Sequence, residues 1–208
     1  MAASLEKFGI TLEPRQLGQL AAYLRLLLRW NRSINLTAVR DPQEVVTRHF
    51  AESMYLARFE ALRGSLLDVG SGAGFPGLPL KIAVPELAVV LLEPIAKKRA
   101  FLKEVARECE LRDVEVSGSR LQELADGGQR AFDFITVRAV GDFSGILPAA
   151  SRCLATSGQI SLWVTNSEAA TLSRQEAAFE GLFSWSTPIP IPLSRDREIW
   201  RGKLQQPL

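Results

Sequence analysis

Along the first third of the chain, apolar positions recur at helical spacing. Leu17, Leu20, Ala21, Leu24, Leu27 and Leu28 form one stripe at i, i+3, i+4 and i+7. Thr11 and Pro14 stand where the first turn of such a helix belongs. A second start follows, with Asp41 as N-cap, Pro42 in the first helical position and Glu44 three residues after the cap. Val45, Val46, His49, Phe50, Ser53, Met54 and Ala57 then share a face. Both stripes predict helices packed on a core. From residue 65 the rhythm changes. Ser65–Val69 predicts a short strand, and a glycine-rich turn leads from it into a helix over 76–84. Further strands are predicted over 87–93, 114–117, 132–137 and 159–164, and further helices over 96–110, 143–154 and 168–180. The tail, over 184–191 and 198–203, is strand-like and punctuated by Pro188, Pro190 and Pro192. Strands alternating with helices predict an α/β fold, with a doubly wound, mainly parallel sheet. Residues 1–64 read as an N-terminal helical extension and 65–208 as the main domain.

Composition narrows the function classes. The 208 residues are 47% hydrophobic and 23% charged, an ordinary globular balance. No run of apolar residues is long enough to span a bilayer. The opening MAASLEKFGITLEP lacks a basic region followed by an apolar core, so no signal peptide is expected, and the expected location is the cytoplasm. Cys109 and Cys153 stand far apart without CxxC spacing, and His49 is the only histidine, so no metal site is expected. The net charge is +2, and nine Lys/Arg against six Asp/Glu fall within residues 1–63. Arg25, Arg29, Arg32, Arg40 and Arg48 make up much of that excess. They read either as a solvated helix face or as an electrostatic footprint for nucleic acid.

The strongest chemical signal is the run from Leu66 to Gly77, LLDVGSGAGFPG. A strand passes straight into four glycines and then a helix. In an open α/β sheet this is where a nucleotide-like ligand meets the backbone. Gly72, Gly74 and Gly77 also match the dinucleotide fingerprint GxGxxG, which keeps NAD in contention. Asp68 argues against NAD, because a carboxylate there would face a pyrophosphate with like charge. The same carboxylate suits the cationic end of S-adenosylmethionine. Glu93, at the end of the second strand, can accept the ribose hydroxyls of either cofactor. No Gly-Lys-Ser/Thr follows the glycines, so the phosphate loop of nucleotide hydrolases is absent.

The block LLDVGSGAGFPGLPLKIAVPE, followed by LLEPIAKKRAFLKEV, resembles the bacterial 16S rRNA guanine-N7 methyltransferase G family, formerly called glucose-inhibited division protein B. Trp30-Asn31 with Asn35-Leu36-Thr37, then Arg48-His49, Ser119-Arg120 and Val137-Arg138-Ala139, fit further blocks of that family. The resemblance implies a Rossmann-like methyltransferase sheet using S-adenosylmethionine, acting on 16S rRNA or the small ribosomal subunit as a monomer, with no membrane or metal partner. It implies that Gly70, Gly72, Gly74 and Phe75 run along the methionine and ribose portion of the cofactor and that Glu93 holds the ribose. Leu121 and Gln122 would border the adenine, and Arg138 would face the cofactor or the target base. Lys97 and Lys98 would meet RNA phosphate. His49 reads as a core histidine or an RNA contact, and Trp30 as a packing aromatic or a stacking platform. Guanine N7 carries no proton, so no general base is required, and Asp68 or Glu93 is available to balance the transferred charge. Three positions depart from the family pattern: Glu52 for Asp, Gln122 for an acid, and Val164-Thr165 for Lys-Gly. Val164 motivates the competing expectation of a non-catalytic RNA- or ribosome-binding protein; an NAD-linked oxidoreductase is the third.

Overall fold

Strands that are apolar on both sides need cover on both faces, and the sheet at the centre of this protein has it. The structure is a computed structural model and describes residues 1–128, 131–138, 143–176 and 182–205. Among them one sheet is formed by β1 (Ser65–Val69), β2 (Ala88–Leu92), β3 (Val114–Ser117), β4 (Phe132–Arg138), β5 (Leu154–Thr165), β6 (Phe183–Trp185), β7 (Ile189–Pro190) and β8 (Arg197–Leu204). The order is β3-β2-β1-β4-β5-β8-β6, with β7 pairing off β8. The first five strands of that order are parallel, and β8 runs antiparallel to β5. The chain builds outward from β1 in one direction and then restarts at β4 on the other side. The switch point between β1 and β4 is where such a sheet opens a crevice at its carboxyl edge.

One face is covered by α1 (Ala2–Glu6), α2 (Pro14–Trp30), α3 (Pro42–Val45), α4 (Glu52–Met54), α5 (Gly77–Ala83) and α6 (Ala96–Glu108). Leu20, Tyr23, Leu27, Phe50, Leu66, Leu91 and Phe101 share a single buried cluster there. The N-terminal helices and the sheet therefore have one continuous core. α7 (Leu121–Asp126), α8 (Ile146–Cys153) and α9 (Asn166–Glu176) cover the other face, where Leu67, Ile135, Leu147, Leu162 and Leu172 cluster. The α/β class and the doubly wound parallel arrangement match the sequence expectation. No helix among the described residues is long and apolar enough to cross a membrane.

Several elements differ from the sequence reading. The helix expected after Pro42 is interrupted: α3 passes into a π-helical turn at Val46–Ala51, then α4, then a 3-10 turn at Tyr55–Arg58. Thr47 sits at the start of the π turn, and its hydroxyl donates to the carbonyls of Gln43 and Glu44 at 3.2 and 3.1 Å, competing with the backbone ladder. α1 and α7 were not expected. Both are too short for periodicity to register. β5 runs from Leu154 to Thr165, so it starts five residues earlier than expected and holds Val164 near its end. Residues 177–180 of the expected last helix, and Ala139 of the Val137-Arg138-Ala139 block, lie outside the described residues.

Two glycines give opposite stability predictions. A Cβ on Gly77, the first residue of α5, would stand 2.7 Å from Leu91 Cδ2 and 2.9 Å from Asp68 Cβ. Gly77→Ala is expected to destabilise by about 1–3 kcal/mol through overpacking. Gly18, inside α2, has nothing within 4 Å of that position. Gly18→Ala is expected to stabilise by about 0.5–1 kcal/mol, the usual helix-interior difference. Urea unfolding of both variants beside the wild type measures the signs.

Candidate functional site

The register of β1 against β4 sets Asp68 opposite Thr136. Both are fully buried. Thr136 Oγ1 donates to Asp68 Oδ1 at 2.8 Å, and the Gly77 N–H donates to Oδ2 at 3.3 Å. The Ser71 hydroxyl donates to the Asp68 main-chain carbonyl at 2.9 Å. Asp68 therefore ties the strand, the turn and the start of α5 into one unit from beneath. The expected direct contact between its carboxylate and a cationic ligand is not what this geometry offers, because the carboxylate is fully buried beneath the turn. Burial pushes the carboxyl up to about 6, against the downward pull of its hydrogen bonds and of Arg138.

The glycine turn divides into two halves. Gly70 and Gly72 have φ of +68° and +56°, which only glycine adopts freely. A Cβ on Gly70 would meet nothing within 4 Å, and one on Gly72 only the Gly70 carbonyl at 3.8 Å. This half faces open space. Gly74 and Gly77 face protein: a Cβ on Gly74 would stand 2.6 Å from both Leu78 Cδ1 and the Tyr23 hydroxyl. Gly70 and Gly72 thus face open space, and Gly74 is a packing position.

Glu93 follows β2 and is 3% exposed. Its Oε2 accepts from the Gly72 N–H at 2.9 Å, and its Oε1 from the Ile95 N–H at 2.8 Å. The carboxylate so links the open half of the turn to the beginning of α6. Each oxygen retains acceptor capacity for a hydroxyl. Arg99 reinforces the same corner by donating to the carbonyls of Glu93 and Pro94 at 3.0 and 2.6 Å. Leu121 is buried in the second core, so its side chain is a packing group. Gln122 is exposed, and its Nε2 reaches the Gly145 carbonyl at 3.3 Å, from α7 to the residue before α8.

The turn is backed by aromatic side chains from the N-terminal helices. The Tyr23 hydroxyl donates to the Ala73 carbonyl. Tyr23 stacks on Phe75 with ring centres 5.7 Å apart, and His49 stacks on the same Phe75 at 4.5 Å. Thr37 Oγ1 lies 2.7 Å from His49 Nε2. Asn31 in turn organises the 31–37 loop: its Oδ1 accepts from the N–H groups of Leu36 and Thr37 at 2.9 and 3.1 Å, and its Nδ2 donates to the Thr37 carbonyl at 2.8 Å. His49 is a support for the turn, and the geometry favours the packing reading over the RNA-contact reading. Its ring is held to about 3, first by burial and then by Arg138 and Arg48. Trp30 also packs. It meets Phe101 edge-on at 5.8 Å, and its Nε1 donates to Glu104 at 2.8 Å.

Arg138 ends β4, and its side chain is turned toward the π turn. Nη1 donates to Ser53 Oγ at 3.2 Å, and Nη2 to the Arg48 carbonyl at 2.6 Å and to Glu52 Oε2 at 3.1 Å. Arg197, which opens β8, donates to both oxygens of the same Glu52 at 3.1 and 2.6 Å. Sequence reasoning singled out Arg138, noted Glu52, and named Ser53 only on a helical face and Thr37 only within a family block; it missed Arg197, Thr136 and Tyr23. The roles of these residues come from partners elsewhere in the chain and carry no local mark.

The basic side chains sort by pairing. Arg29 pairs with Glu104, and Arg48 with Glu44. Among the described residues, Arg32, Arg40, Lys97 and Lys98 make no ion pair. Gln19 bonds Cys109, and Trp30 meets Phe101, so α2 and α6 run antiparallel. The end of α2 therefore lies beside the start of α6, at the carboxyl edge of the sheet. Arg32 and Arg40 there line a cavity of 260 Å³ with Leu28 and Asn31. Val164 is 1% exposed and packs in the second core. Its side chain does not border the site, so the departure from Lys at this position no longer argues for a non-catalytic protein. No group of three or more His, Cys, Asp or Glu able to hold a metal occurs among the described residues.

Comparison with known proteins adds the family. Residues 16–189 match the family model described as rRNA small subunit methyltransferase G. The chain is 43% identical over 141 residues to the ribosomal RNA small subunit methyltransferase G of Xanthomonas axonopodis pv. citri, covering 68% of this chain and 65% of that one. It is 48% identical over 134 residues to the Stutzerimonas stutzeri protein of the same name, covering 64% and 61%. The chain thus spans under two thirds of the length of these relatives. In fold it is similar to a SAM-dependent methyltransferase from Aquifex aeolicus, with a TM-score of 0.61 at 16% identity over 79% of this chain and 94% of that one. A ribosomal protein L11 methylase from Lactobacillus delbrueckii gives 0.62 at 14% identity over 77% and 80%.

Two of the shifted groups, His49 and Asp68, predict opposing pH effects on stability. His49 is depressed from 6.5 to about 3, so the unfolded chain binds a proton there that the folded one does not. Its contribution is complete above about 6.5 and is lost as pH falls toward 3. Asp68 is raised from 3.8 to about 6, so the folded chain keeps a proton longer, and stability declines as pH rises through that window. Urea unfolding between pH 4 and 8 is expected to show the acid-side loss shrink in His49→Gln and the decline between 3.8 and 6 vanish in Asp68→Asn.

Proposed function

Because the chain belongs to the rRNA small subunit methyltransferase G family, we propose that it transfers a methyl group from S-adenosylmethionine to N7 of a guanine in the decoding region of 16S rRNA. The observation that carries this reading is the open half of the glycine turn, where Cβ positions on Gly70 and Gly72 meet nothing and Glu93 stands at the lip. Gly70, Gly72 and Phe75 would follow the methionine and ribose part of the cofactor, with Glu93 on the ribose. Ser119-Arg120 and Gln122, at the carboxyl edge of β3, would border the adenine. Asp68 and Gly74 would act indirectly, by holding the turn. S-adenosylmethionine supplies an electrophilic methyl on a cationic sulfur, and a guanine N7 lone pair accepts it without losing a proton. The residues of this chain are accordingly asked to align and not to shuttle protons, and alignment alone contributes roughly 7–11 kcal/mol in well-oriented reactions. His49, bonded to Thr37 and stacked on Phe75, is held as a support for the turn and is asked for no proton transfer.

For RNA, the reading rests on the four unpaired cations Arg32, Arg40, Lys97 and Lys98 gathered at one edge of the sheet. Phosphate contacts of this kind set register on a nucleic acid. Lys97 and Lys98 sit in the first turn of α6, where the helix dipole disfavours positive charge, so helix stability does not account for them. Residues 1–64 would serve as an RNA-facing extension to a 65–208 catalytic part, in a monomer working in the cytoplasm.

Calorimetry is expected to show S-adenosylmethionine or S-adenosylhomocysteine binding well ahead of NAD, with Glu93→Ala weaker by about 1–3 kcal/mol. Labelled-methyl transfer to under-methylated small subunits tests the activity itself. Cofactor binding without transfer would favour a non-catalytic RNA-binding protein, and equal or tighter NAD binding would remove the methyltransferase reading. Replacing Arg32, Arg40, Lys97 and Lys98 by Ala is expected to reduce the salt slope of RNA binding by about 0.9 for each lost phosphate contact, leaving cofactor affinity nearly unchanged. An unaltered slope returns these residues to the solvated surface.

A further inference from the structure

Glu52 is 2% exposed and faces two guanidinium groups, Arg138 from the end of β4 and Arg197 from the start of β8. Its backbone is also held, since Trp163 Nε1 donates to the Glu52 carbonyl at 2.9 Å. Arg197 takes the carboxylate in two bonds and so fixes its orientation. Arg138 takes it in one, and completes its own set with Ser53 Oγ and the Arg48 carbonyl. Of the three acceptors around Arg138, only Glu52 is charged. A planar guanidinium with three fixed acceptors has little rotational freedom left.

From this we infer that Glu52 is a positioning residue for Arg138, orienting its guanidinium at the switch point between β1 and β4, with Arg197 as the counter-tether. The inference rests on the proposed function and on the expectation, implied by the family resemblance, that Arg138 faces the cofactor or the target base. A simple fold staple would not need this arrangement, because Arg197 alone pairs Glu52 at both oxygens. Arg197 has a second carboxylate in reach, Asp196 at 3.8 Å, so the two guanidiniums face two carboxylates. What Glu52 supplies to Arg138 is therefore orientation and not a surplus of charge. The glutamate is long enough to reach both arginines from one backbone position. The arrangement was invisible in sequence because the partners stand 86 and 145 residues away from Glu52.

A double-mutant cycle tests it on the full chain, with S-adenosylhomocysteine affinity by calorimetry and single-turnover labelled-methyl transfer to small subunits as readouts. Arg138→Ala leaves Glu52 paired with Arg197 and is expected to keep the fold. Glu52→Gln and Arg138→Ala are each expected to lose on the order of tenfold in at least one readout, and the double variant to be no worse than Arg138→Ala alone. Loss in affinity places the action of Arg138 on the cofactor; loss confined to transfer places it on the RNA. Glu52→Asp, which keeps the charge, runs through the same cycle and is expected to lose less with the same non-additivity; it decides the matter if Glu52→Gln does not fold. A Glu52 effect undiminished in the Arg138→Ala background, or no Glu52 effect in either readout, overturns the inference while leaving the function standing. A silent Arg138→Ala overturns the reading of Arg138 as well.

Discussion

Everything at the carboxyl edge of the sheet depends on one buried carboxylate. Asp68 lies in a strand, and its partner Thr136 lies opposite in the neighbouring strand across the switch point. The same side chain accepts from Gly77 beyond the turn. An ionised carboxylate without solvent is costly unless its oxygens are satisfied, and here the satisfying donors come from β4 and from the start of α5. Closing the glycine turn over Asp68 is thus what makes the burial tolerable. The burial in turn gives the turn a fixed floor from which Gly70 and Gly72 face outward.

The N-terminal helices complete this floor from behind. Tyr23 bonds the turn at Ala73, and Phe75 is stacked between Tyr23 and His49. His49 is fixed by Thr37, and the loop carrying Thr37 is fixed by Asn31. A chain of direct contacts therefore runs from the basic end of α2 to the back of the candidate cofactor loop. It explains why the first sixty residues share a core with the sheet and do not pack as a separate body.

Charge is divided in a similar way between support and availability. Arg138 and Arg197 are committed to Glu52, Arg201 to Glu60, and Arg29 to Glu104. A solvent-facing pair such as Arg29–Glu104 contributes little to stability, whereas losing Glu52 from its nearly buried cluster would strand two guanidinium groups. Among the described residues, Arg32, Arg40, Lys97 and Lys98 at the mouth of the sheet are held by no such ion pair. The composition alone, with a net charge of +2, does not distinguish the two populations.

The sequence by itself determined the architecture and the address of the site. Strand and helix periods are set by side chains a few residues apart, so the alternation after residue 65 and the stripe of α2 were legible, as was the turn from Gly70 to Gly77. Glu93 was marked by its place at the end of an apolar strand. What each site residue does was decided only by tertiary structure. Asp68 proved to be a buried brace, Leu121 and Val164 core residues, and His49 a stacking partner of Phe75, because each role depends on which distant element packs against it. The π turn at Val46–Ala51 escaped the periodic reading, since one extra residue per turn shifts every later side chain around the axis. Arg197 and Thr136 carried no local signal at all. Their meaning comes from strand register and from contacts across as many as 145 residues of chain, which no local pattern encodes.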